Sequence, residues 1–254
     1  MLTIDLSGRV AVVTGGSGQL GRCMATTLAQ AGADVAVQYL KNREKAEEVA
    51  AEVRAKGVRA CAVQADITDG DSVRALRDAV TAELGVPDIL VNNAVSQYPW
   101  KSVLEQSPED YEGQFRSCVL HNLHMAQAFV PAMIEKGWGR IVAINTECAM
   151  QNFPGQSAYV SGKRGMDGLL RVLAKEIGAH QITVNQVAPG WTISDRDRAA
   201  GTEVSEGYQK TVPLARRGSD QEIANVVAFL ASDLASFITG AYVPVCGGNV
   251  MPTI

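Results

Sequence analysis

The sequence predicts an α/β fold built on a doubly wound parallel sheet of about seven strands, with helices on both faces. Short β-branched runs, such as residues 9–14, alternate along the chain with longer helical stretches. This alternation implies parallel strands joined by right-handed crossovers. The 254 residues suffice for one sizeable α/β core, and 46% of them are apolar, as expected for a packed globule. We therefore expect a single domain over residues 1–254.

Each predicted strand is short and apolar, and most are followed by glycine or polar residues. The predicted strands are residues 9–14, 34–39, 58–65, 88–92, 140–145, 183–188 and 242–245. Because the carboxyl ends of parallel strands lie at one edge of a sheet, a ligand is expected there, near the point where strand order reverses. Thr14, Asn92, Thr146 and Pro189 all come at or just after strand ends, so they are expected at that edge.

The predicted helices lie between these strands. They are, approximately, residues 18–31, 43–56, 72–84, 108–136, 157–180 and 219–231. The fourth begins with Ser107 as its cap and Pro108 in its first turn, and the last begins with a capping box of Ser219 and Glu222. Residues 190–218 show little apolar periodicity and are rich in Asp, Arg, Glu and Gly. A connection of this length is unusual and predicts a substrate lid.

Charge and cysteine content argue against several classes of function. The formal net charge is -4 without a basic run, so nucleic acid and anionic membranes are poor partners. The five cysteines are odd in number and no pair has metal-ligand spacing, which predicts free thiols in a reducing cytoplasm and no metal site. We find no signal-peptide pattern and no apolar run approaching ~20 residues. A cytoplasmic protein with a small-molecule substrate is the resulting expectation.

Residues 146–163 hold a hydroxyl, a phenol and an amine in a pattern that predicts acid–base chemistry. Apolar residues recur at helical spacing from Ser157 onward, so Tyr159 and Lys163 share one helical face. An adjacent ammonium lowers the pKa of a phenol from its ordinary value of ~10. Half ionisation near neutral pH needs a fall of roughly three units, or about 4 kcal/mol. We expect a second positive charge to help, such as the oxidised nicotinamide ring of a bound cofactor.

A glycine-rich stretch, TGGSGQLG at residues 14–21, separates the first predicted strand from the first predicted helix. Glycines there let the backbone approach a pyrophosphate, and the helix N-terminus offers free N–H groups to its charge. The alternative is a plain glycine-rich turn. The position directly after the first strand favours a dinucleotide-binding site.

The end of the second predicted strand indicates which dinucleotide is bound. An acidic residue there binds the ribose 2′-hydroxyl of NAD, whereas a nearby base accommodates the 2′-phosphate of NADP. The position is held by Tyr39, with Lys41 and Arg43 just beyond, so the sequence favours NADP(H) over NAD(H). The alternative is that both bases belong to a solvated helix start. Asp66, which follows the third strand, either accepts a hydrogen bond from the adenine amine or is a turn residue.

In combination, these motifs resemble the short-chain dehydrogenase/reductase family along nearly the whole chain, and most of all the subgroup that contains 3-oxoacyl-carrier-protein reductases. The resemblance rests on residues 14–21, NNA at 92–94, Asn122, Thr146, Tyr159-x-x-x-Lys163, APG at 188–190, and residues 213–233 and 237–248. It implies a single-domain Rossmann-type fold. It also implies a homotetramer, in which helices 108–136 and 158–180 and the C-terminal strand pair across two-fold axes.

The resemblance further implies a role for each site residue. Tyr159 is then the general acid for ketone reduction or the base for alcohol oxidation, and Lys163 holds the nicotinamide ribose hydroxyls. Thr146 hydrogen-bonds the substrate carbonyl, and Asn122 binds a water that relays protons to Lys163. The residues expected around the cofactor are Thr14, Gly15, Ser17, Gly18, Gln19, Leu20, Gly21, Tyr39, Lys41, Arg43, Asp66, Ile67, Asn93, Ala94, Tyr159, Lys163, Pro189, Gly190 and Thr192.

The sequence departs from the family pattern at three site positions. Thr146 stands where serine is usual, and its extra methyl group and restricted χ1 predict a narrower or reoriented pocket rather than lost activity. Gln19 occupies the position of the second family glycine, so Gly18 is expected to serve the turn instead. Val95 replaces the last glycine of NNAG.

Aromatic residues are expected on the substrate side of the site. Tyr98 and Trp100 follow the fourth strand, Phe153 lies between Thr146 and Tyr159, and Trp191 opens the predicted lid. Converging aromatic side chains suit an apolar or aromatic ketone. The alternative is that they pack the lid and the contacts between subunits.

Three functions follow from these patterns. The first is an NADP(H)-dependent carbonyl reductase or alcohol dehydrogenase. The second is a cofactor-binding regulator without catalysis, which the departures at residues 19, 95 and 146 would permit. The third is 3-oxoacyl-carrier-protein reduction, which is weakened because Gly137 and His180 stand where docking arginines are expected. The presence of Tyr159, Lys163 and Asn122 favours an enzyme over the regulator.

Overall fold

The computed structural model describes residues 3–252, and its centre is a sheet of seven parallel strands. The strands are β1 (Val10–Val13), β2 (Asp34–Tyr39), β3 (Ala60–Gln64), β4 (Ile89–Asn92), β5 (Gly139–Ile144), β6 (Ile182–Pro189) and β7 (Tyr242–Val245). Their spatial order is β3-β2-β1-β4-β5-β6-β7, and every adjacent pair is parallel. The predicted doubly wound sheet is thus confirmed, and its order reverses between β1 and β4.

Helices connect the strands and cover both faces of the sheet. The longer ones are α1 (Gln19–Gln30), α2 (Arg43–Arg54), α3 (Gly70–Leu84), α4 (Pro108–Gln114), α5 (His121–Lys136), α7 (Ser157–Ile177) and α10 (Asp220–Ala231). The shorter ones are α6 (Cys148–Gln151), α8 (Asp195–Ala200) and α9 (Glu206–Gln209). A π-helical segment, Phe115–Leu120, joins α4 to α5 within the predicted helix 108–136.

Two hydrophobic clusters hold the helices against the sheet. Successive residues of β1 alternate between them, with Ala11 in the cluster beneath α1, α2 and α10, and Val12 in the cluster beneath α3, α5 and α7. This alternation follows from the two-residue period of a strand. Because both faces are covered, β1, β4, β5 and β6 are buried along their full length. This is why β1 and β4 are almost entirely apolar in sequence, whereas β6 buries the polar side chains Thr183, Asn185 and Gln186.

Helix starts follow the sequence signals closely. The Ser107 side chain accepts a hydrogen bond from the Asp110 N–H, and Ser219 and Glu222 form the reciprocal capping box that the sequence predicts. Helix α7 differs, because Gln156 caps it without a side-chain hydrogen bond. The Tyr98 hydroxyl instead accepts from the Tyr159 N–H at 2.7 Å. The start of the helix that carries Tyr159 is therefore held by a residue 61 positions earlier in the chain.

Residues 190–218 fold into α8, α9 and connecting turns, and the sequence analysis missed both short helices. Two arginines of residues 190–218 form ion pairs. Arg217 pairs with Asp197 at 2.7 Å, within the segment, and Arg198 pairs with Asp220 at 2.8 Å, just beyond it. Arg217 is buried and also donates to the Thr192 carbonyl. Arg217 therefore ties the two ends of the segment together.

Within residues 3–252, none of the helices combines the length and the apolar character needed to cross a bilayer. The same part of the chain contains no group of three or more His, Cys, Asp or Glu side chains arranged to hold a metal ion. All five cysteines are free thiols.

Candidate active site

Two cavities open at the carboxyl ends of the strands, beside the reversal between β1 and β4. The first, of about 680 Å³, runs along the glycine-rich loop and the ends of β2 and β3. The second, of about 530 Å³, lies between Thr146, Tyr159 and the start of residues 190–218. We call them the cofactor cleft and the substrate cavity. Ser96 lines both, so the two cavities adjoin.

The glycine-rich loop is shaped by close backbone contacts that exclude side chains. Gly15 has φ of 61°, in the left-handed region, and a Cβ atom on Gly21 would lie 2.2 Å from the Gly15 carbonyl oxygen. Gly18 has an ordinary φ of -80°, and its N–H donates to the Gly15 carbonyl at 3.0 Å. The expectation that Gly18 supplies the turn is therefore incomplete: Gly18 closes the turn, but Gly15 takes the conformation that demands glycine.

Gln38 is a positioning residue that the sequence analysis missed. It is buried at the end of β2, where its Oε1 accepts from the Gly15 N–H at 2.8 Å and its Nε2 donates to the Ala65 carbonyl at 2.6 Å. The side chain thereby fastens the glycine-rich loop to the end of β3. A glutamine within the otherwise apolar run DVAVQY was the available signal.

Thr14 and Asn93 join the loop to the end of β4. The Thr14 hydroxyl accepts from the N–H groups of Asn93 and Ala94, at 2.9 and 3.1 Å. The Asn93 amide donates in turn to the Thr14 carbonyl at 2.9 Å. Thr14 is fully buried and lies outside the lining of the cleft, so it positions the loop and does not face a cofactor.

The far end of the cleft holds the residues expected around the adenosine. Tyr39, Lys41, Asp66 and Ile67 line it, whereas Arg43, at the start of α2, does not. The Asp66 carboxylate accepts from the Thr68 N–H and hydroxyl, at 2.9 and 2.7 Å. Asp66 is thus a turn residue that also lines the cleft, and its hydrogen bond to an adenine amine stays a prediction.

These features fit a dinucleotide. The loop presents backbone without side chains, the first turn of α1 points its N–H groups at the cleft, and the cleft is long enough to reach from β4 to the end of β3. The remaining predicted cofactor residues at this end, Gly15, Ser17, Gly18, Gln19, Leu20, Gly21, Asn93 and Ala94, all line the cleft. Pro189 is buried in β6, and Gly190 and Thr192 line the substrate cavity instead.

Gln19, which departs from the family pattern, connects the cleft to the predicted lid. Its side-chain amide donates to the Ile193 carbonyl at 2.7 Å. Arg22, one helical turn further along α1, forms an ion pair with Asp195 at 3.2 Å. The replacement of a glycine by Gln19 therefore adds a contact between the phosphate-side loop and residues 190–218.

Tyr159 and Lys163 face the same space, as their spacing predicts. The Lys163 ammonium lies 5.7 Å from the centre of the Tyr159 ring and donates to the Ile144 carbonyl at 2.5 Å. Tyr159 and Thr146 line the substrate cavity, whereas Lys163 is 3% exposed and lines neither that cavity nor the cofactor cleft. The structure thus places the amine behind the phenol, at the end of β5.

The pKa of Tyr159 differs from the expected direction. Burial raises the pKa of the phenol above its ordinary value, and the hydrogen bond with Thr146 offsets only part of that rise. Burial also lowers the pKa of the Lys163 ammonium, which weakens the positive charge that was expected to lower the tyrosine pKa. Burial thus favours the protonated phenol, which is the form that can donate a proton.

Thr146 is held in place by three of its neighbours. Its N–H donates to the Asn145 side chain at 2.9 Å, its carbonyl accepts from the Tyr242 hydroxyl, and its own hydroxyl accepts from the Cys148 N–H at 3.2 Å. The hydroxyl proton can be donated to the Tyr159 oxygen or to a ligand in the cavity. Thr146 is only 7% exposed, so its extra methyl group is packed among the neighbouring atoms.

Asn122 lies immediately after the π-helical segment, where such segments often mark functional sites. Its amide donates to the Cys118 carbonyl at 2.7 Å, and its oxygen accepts from the Asn92 side chain at 2.8 Å. The side chain thus connects the end of β4 to the helix before α5. It is buried and outside both cavities, so its role toward Lys163 stays a prediction.

The five residues predicted on the substrate side, Tyr98, Trp100, Thr146, Phe153 and Trp191, all line the substrate cavity. Trp191 also packs edge-on against Tyr208, with ring centres 5.5 Å apart, and under the Arg217 guanidinium at 4.4 Å. The alternative that this aromatic residue packs the lid therefore also holds for Trp191.

Seven polar lining residues of the substrate cavity were not among the predicted site residues. They are Ser96, Gln97, Glu147, Cys148, Gln151, Gln156 and Tyr208. Burial raises the pKa of the Cys148 thiol, which disfavours a reactive thiolate. Glu147 and Gln156 directly precede α6 and α7, and Tyr208 lies in the four-residue helix α9, so none of these three belongs to a long periodic segment.

Comparison with known proteins agrees with this geometry. Residues 17–249 match the family model described as enoyl-(acyl carrier protein) reductase. The 3-oxoacyl-[acyl-carrier-protein] reductase FabG of Staphylococcus aureus is 39% identical over 251 residues, covering 95% of this chain and 98% of the relative. This chain belongs to the short-chain dehydrogenase/reductase family of oxidoreductases. The FabG protein of Pseudomonas aeruginosa is 36% identical, with 98% of this chain and 100% of the relative covered.

Solved structures of this family share the fold. An NAD⁺-bound xylitol dehydrogenase superimposes with a TM-score of 0.89 at 30% identity, covering 95% of this chain and 99% of the other. A 7α-hydroxysteroid dehydrogenase complexed with NADH and 7-oxo-glycochenodeoxycholic acid gives a TM-score of 0.88 at 32% identity, with 98% and 97% covered. The predicted resemblance is confirmed at the level of family and fold.

Proposed function

We propose that this protein is an NADP(H)-dependent oxidoreductase that reduces a ketone to a secondary alcohol, or catalyses the reverse reaction, with Tyr159 as the general acid or base. The observation that carries the proposal is the position of the Tyr159 phenol. It lies in the substrate cavity with Thr146, with the Lys163 ammonium behind it and the cofactor cleft beside it.

The residues divide the work of ketone reduction between them. A bound nicotinamide cofactor supplies the hydride. The hydroxyls of Thr146 and Tyr159 hydrogen-bond the substrate carbonyl oxygen, and the raised pKa of Tyr159 keeps its proton in place until negative charge develops on that oxygen. Lys163 fixes the phenol from behind, and the buried Asn122 connects this region to β4.

The preference for NADP(H) rests on one side chain. Lys41 lines the end of the cleft where the adenosine ribose is expected, and this position beyond β2 carries no acid. The exposed ammonium is placed to meet a 2′-phosphate, whereas Arg43 lies outside the lining. Since the two cofactor-bound structures described above hold NAD⁺ and NADH, the choice must be measured for this chain.

The direct test is turnover with both cofactors. Incubating the protein with NADPH, or separately with NADH, and a panel of ketones should consume the reduced-nicotinamide absorbance only when a ketone is present. We expect faster turnover with NADPH. Retained binding of NADPH without turnover of any ketone or alcohol would instead favour the cofactor-binding regulator.

A second candidate, reduction of a 3-oxoacyl group on an acyl carrier protein, is favoured by the identity with FabG proteins. It is weakened at the two positions where docking arginines are expected, since Gly137 ends α5 in a left-handed conformation and His180 ends the turn after α7. Comparing a 3-oxoacyl carrier protein with the same acyl group on a short thiol distinguishes the two. A strong preference for the carrier-bound form would establish this second function.

We also propose that the protein assembles as a homotetramer and acts on a small-molecule ketone or alcohol in the cytoplasm, without nucleic acid or membrane partners. Apolar side chains on the two helices expected at the two-fold axes support the assembly, because Phe115 and Val172 are 50% and 55% exposed. Light scattering should give four times the chain mass of 27.0 kDa. A monomeric mass would overturn this part of the proposal.

A further inference from the structure

The wall of the substrate cavity contains a buried carboxylate without a cationic partner. Glu147 follows Thr146 directly, lines the cavity and is only 3% exposed. Its two oxygens accept from the Tyr208 hydroxyl at 2.8 Å and the Asn249 amide at 3.1 Å, both neutral donors. Burial raises its pKa, and within residues 3–252 no Lys, Arg or His forms an ion pair with it. Buried carboxylates are normally paired with a cation, so the unpaired Glu147 carboxylate is a candidate ligand-binding group.

The nearby arginines do not fill this role, because each is already paired. Arg217 binds Asp197, Arg198 binds Asp220, and Arg216 binds Glu222 at 2.6 Å. The charge of Glu147 is therefore stabilised only by neutral donors, from Tyr208, Asn249 and the Trp191 backbone N–H, and by any ligand in the cavity. A carboxylate has about four lone-pair sites, so these donors leave it able to accept a further hydrogen bond.

Gln156 provides a second, independent acceptor in the same cavity. It lines the cavity and is 7% exposed, and its Oε1 has no hydrogen-bond partner among residues 3–252. Its amide lies beside the Cys148 thiol. A buried acceptor without a donor costs free energy unless a ligand or water supplies one.

The polar groups of the cavity thus fall into two kinds. The hydroxyls of Thr146 and Tyr159 can donate to a substrate carbonyl, whereas the Glu147 carboxylate and the Gln156 Oε1 atom can only accept hydrogen bonds. The aromatic wall of Trp100, Phe153 and Trp191 suits an apolar body or the face of a cation. An anionic group in this cavity would instead meet the unpaired carboxylate.

Building on the function proposed above, we infer that the substrate is a ketone, or the matching alcohol, that carries a hydrogen-bond donor close to its reacting carbon. The donor is a hydroxyl or an ammonium group, and Glu147 and Gln156 are the residues that recognise it. Glu147 is thereby a specificity-determining residue that selects against carboxylate-bearing ketones and against simple acyl chains.

The test uses four ketones that share a phenyl ring: acetophenone, 2-hydroxy-1-phenylethanone, 2-amino-1-phenylethanone and phenylglyoxylate. We expect kcat/KM to be roughly ten- to a hundredfold higher for the hydroxyl or ammonium ketone than for acetophenone, as for a hydrogen bond to a charged group. Phenylglyoxylate should be the poorest substrate. Because the four ketones differ in intrinsic reactivity, the decisive quantity is how each ratio changes in a variant.

Two variants separate recognition from a structural role. Glu147→Gln keeps the size of the side chain and removes its charge, so the preference for the ammonium ketone should fall at least tenfold while the hydroxyl ketone loses less. Tyr208→Phe removes the hydrogen bond that the Tyr208 hydroxyl donates to Glu147 but leaves the carboxylate in place. If Glu147 only holds the lid, both variants will slow all four ketones by the same factor, and the inference is overturned.

Failure of the proposed function gives a different result. If none of the ketones is turned over with NADPH or NADH, binding of 2-amino-1-phenylethanol and of 1-phenylethanol is measured by calorimetry on the wild type and on Glu147→Gln. Tighter binding of the amino alcohol that is lost in the variant supports the recognition role without the reaction. Equal binding of the two alcohols by the wild type overturns it.

Discussion

The cofactor cleft and the substrate cavity adjoin at Ser96, but different kinds of chain segment line them. The cleft combines the backbone of the glycine-rich loop with residues at the ends of β2, β3 and β4. The cavity is made of side chains from irregular segments, such as Tyr98, Glu147 and Trp191. A loop that presents its backbone to a ligand requires glycines at fixed places, which can be recognised in the sequence. Side chains contributed by irregular segments follow no periodic pattern. The difference predicts that substitutions will act differently on the two sides.

Of the substitutions that distinguish the two regions, removal of the Thr146 hydroxyl in the substrate cavity should lower activity most. Thr146→Ala removes a hydroxyl placed to stabilise the substrate oxygen, which typically lowers kcat by about 10²–10³. Thr146→Ser keeps the hydroxyl and should retain most of the activity. Steady-state kinetics of both variants checks this, with cofactor affinity expected to stay close to that of the wild type. Equal losses in the two variants would show that the hydroxyl does not contact the substrate.

The next effect should come from Gly21, on the cleft side. A Cβ at Gly21 would lie 2.2 Å from the Gly15 carbonyl oxygen, so Gly21→Ala must displace the loop. Overpacking of this kind costs about 1–3 kcal/mol, or a ten- to hundredfold loss of NADPH affinity if the strain is relieved in the loop. Gly18→Ala is the matched control, because its φ is -80° and its Cβ would lie 3.3 Å from the same oxygen. Fluorescence titration with NADPH should rank Gly21→Ala well below Gly18→Ala, and the reverse order would contradict the loop geometry.

A smaller effect, on the chemistry between the two regions, is the response to pH. Since burial raises the pKa of Tyr159, the phenol keeps its proton through neutral pH. Ketone reduction needs the protonated form and should change little between mildly acidic and mildly alkaline pH. Alcohol oxidation needs the deprotonated form, so kcat/KM should rise by up to about tenfold per pH unit as pH increases. A fall in oxidation rate with rising pH would contradict Tyr159 as the base.

The smallest effect should be at Lys41, which is exposed at the far end of the cleft. Lys41→Ala should raise the KM for NADPH by about two- to fivefold, because an exposed charge pair contributes up to ~1 kcal/mol. The KM for NADH should not change, which makes NADH the internal control. The matched variant Arg43→Ala should have less effect, since Arg43 lies outside the cleft. An equal change with both cofactors would remove the basis for preferring NADP(H).

The same contrast explains what the sequence could predict. The strands, the long helices and the cap residues Ser107 and Ser219 follow from local patterns, and the fold follows from their order. The spacing of Tyr159 and Lys163 was likewise sufficient to place both side chains together. Backbone periodicity and turn chemistry are local properties, so a sequence expresses them directly.

Other features depend on contacts between distant segments, which a single sequence does not reveal. Gln38 fastens the glycine-rich loop, and Glu147 meets Tyr208 across 61 positions of the chain. The pKa of Tyr159 was expected in the wrong direction, because its depth of burial depends on how the surrounding segments close over it. The turn residue of the loop was assigned to Gly18 for a related reason, since φ at Gly15 is set by its contacts with β2 and β4.

In the proposed reaction the phenol of Tyr159 exchanges a proton with the substrate. The substitution Tyr159→Phe tests this role most directly. Removing a positioned general acid costs about 10²–10⁴ in rate, while the ring of phenylalanine keeps the packing over Lys163. The measurement is turnover of the best ketone with NADPH, alongside NADPH affinity by fluorescence. We predict turnover lowered by at least about a hundredfold with NADPH affinity within a few-fold of the wild type. Turnover that survives the substitution would contradict the account.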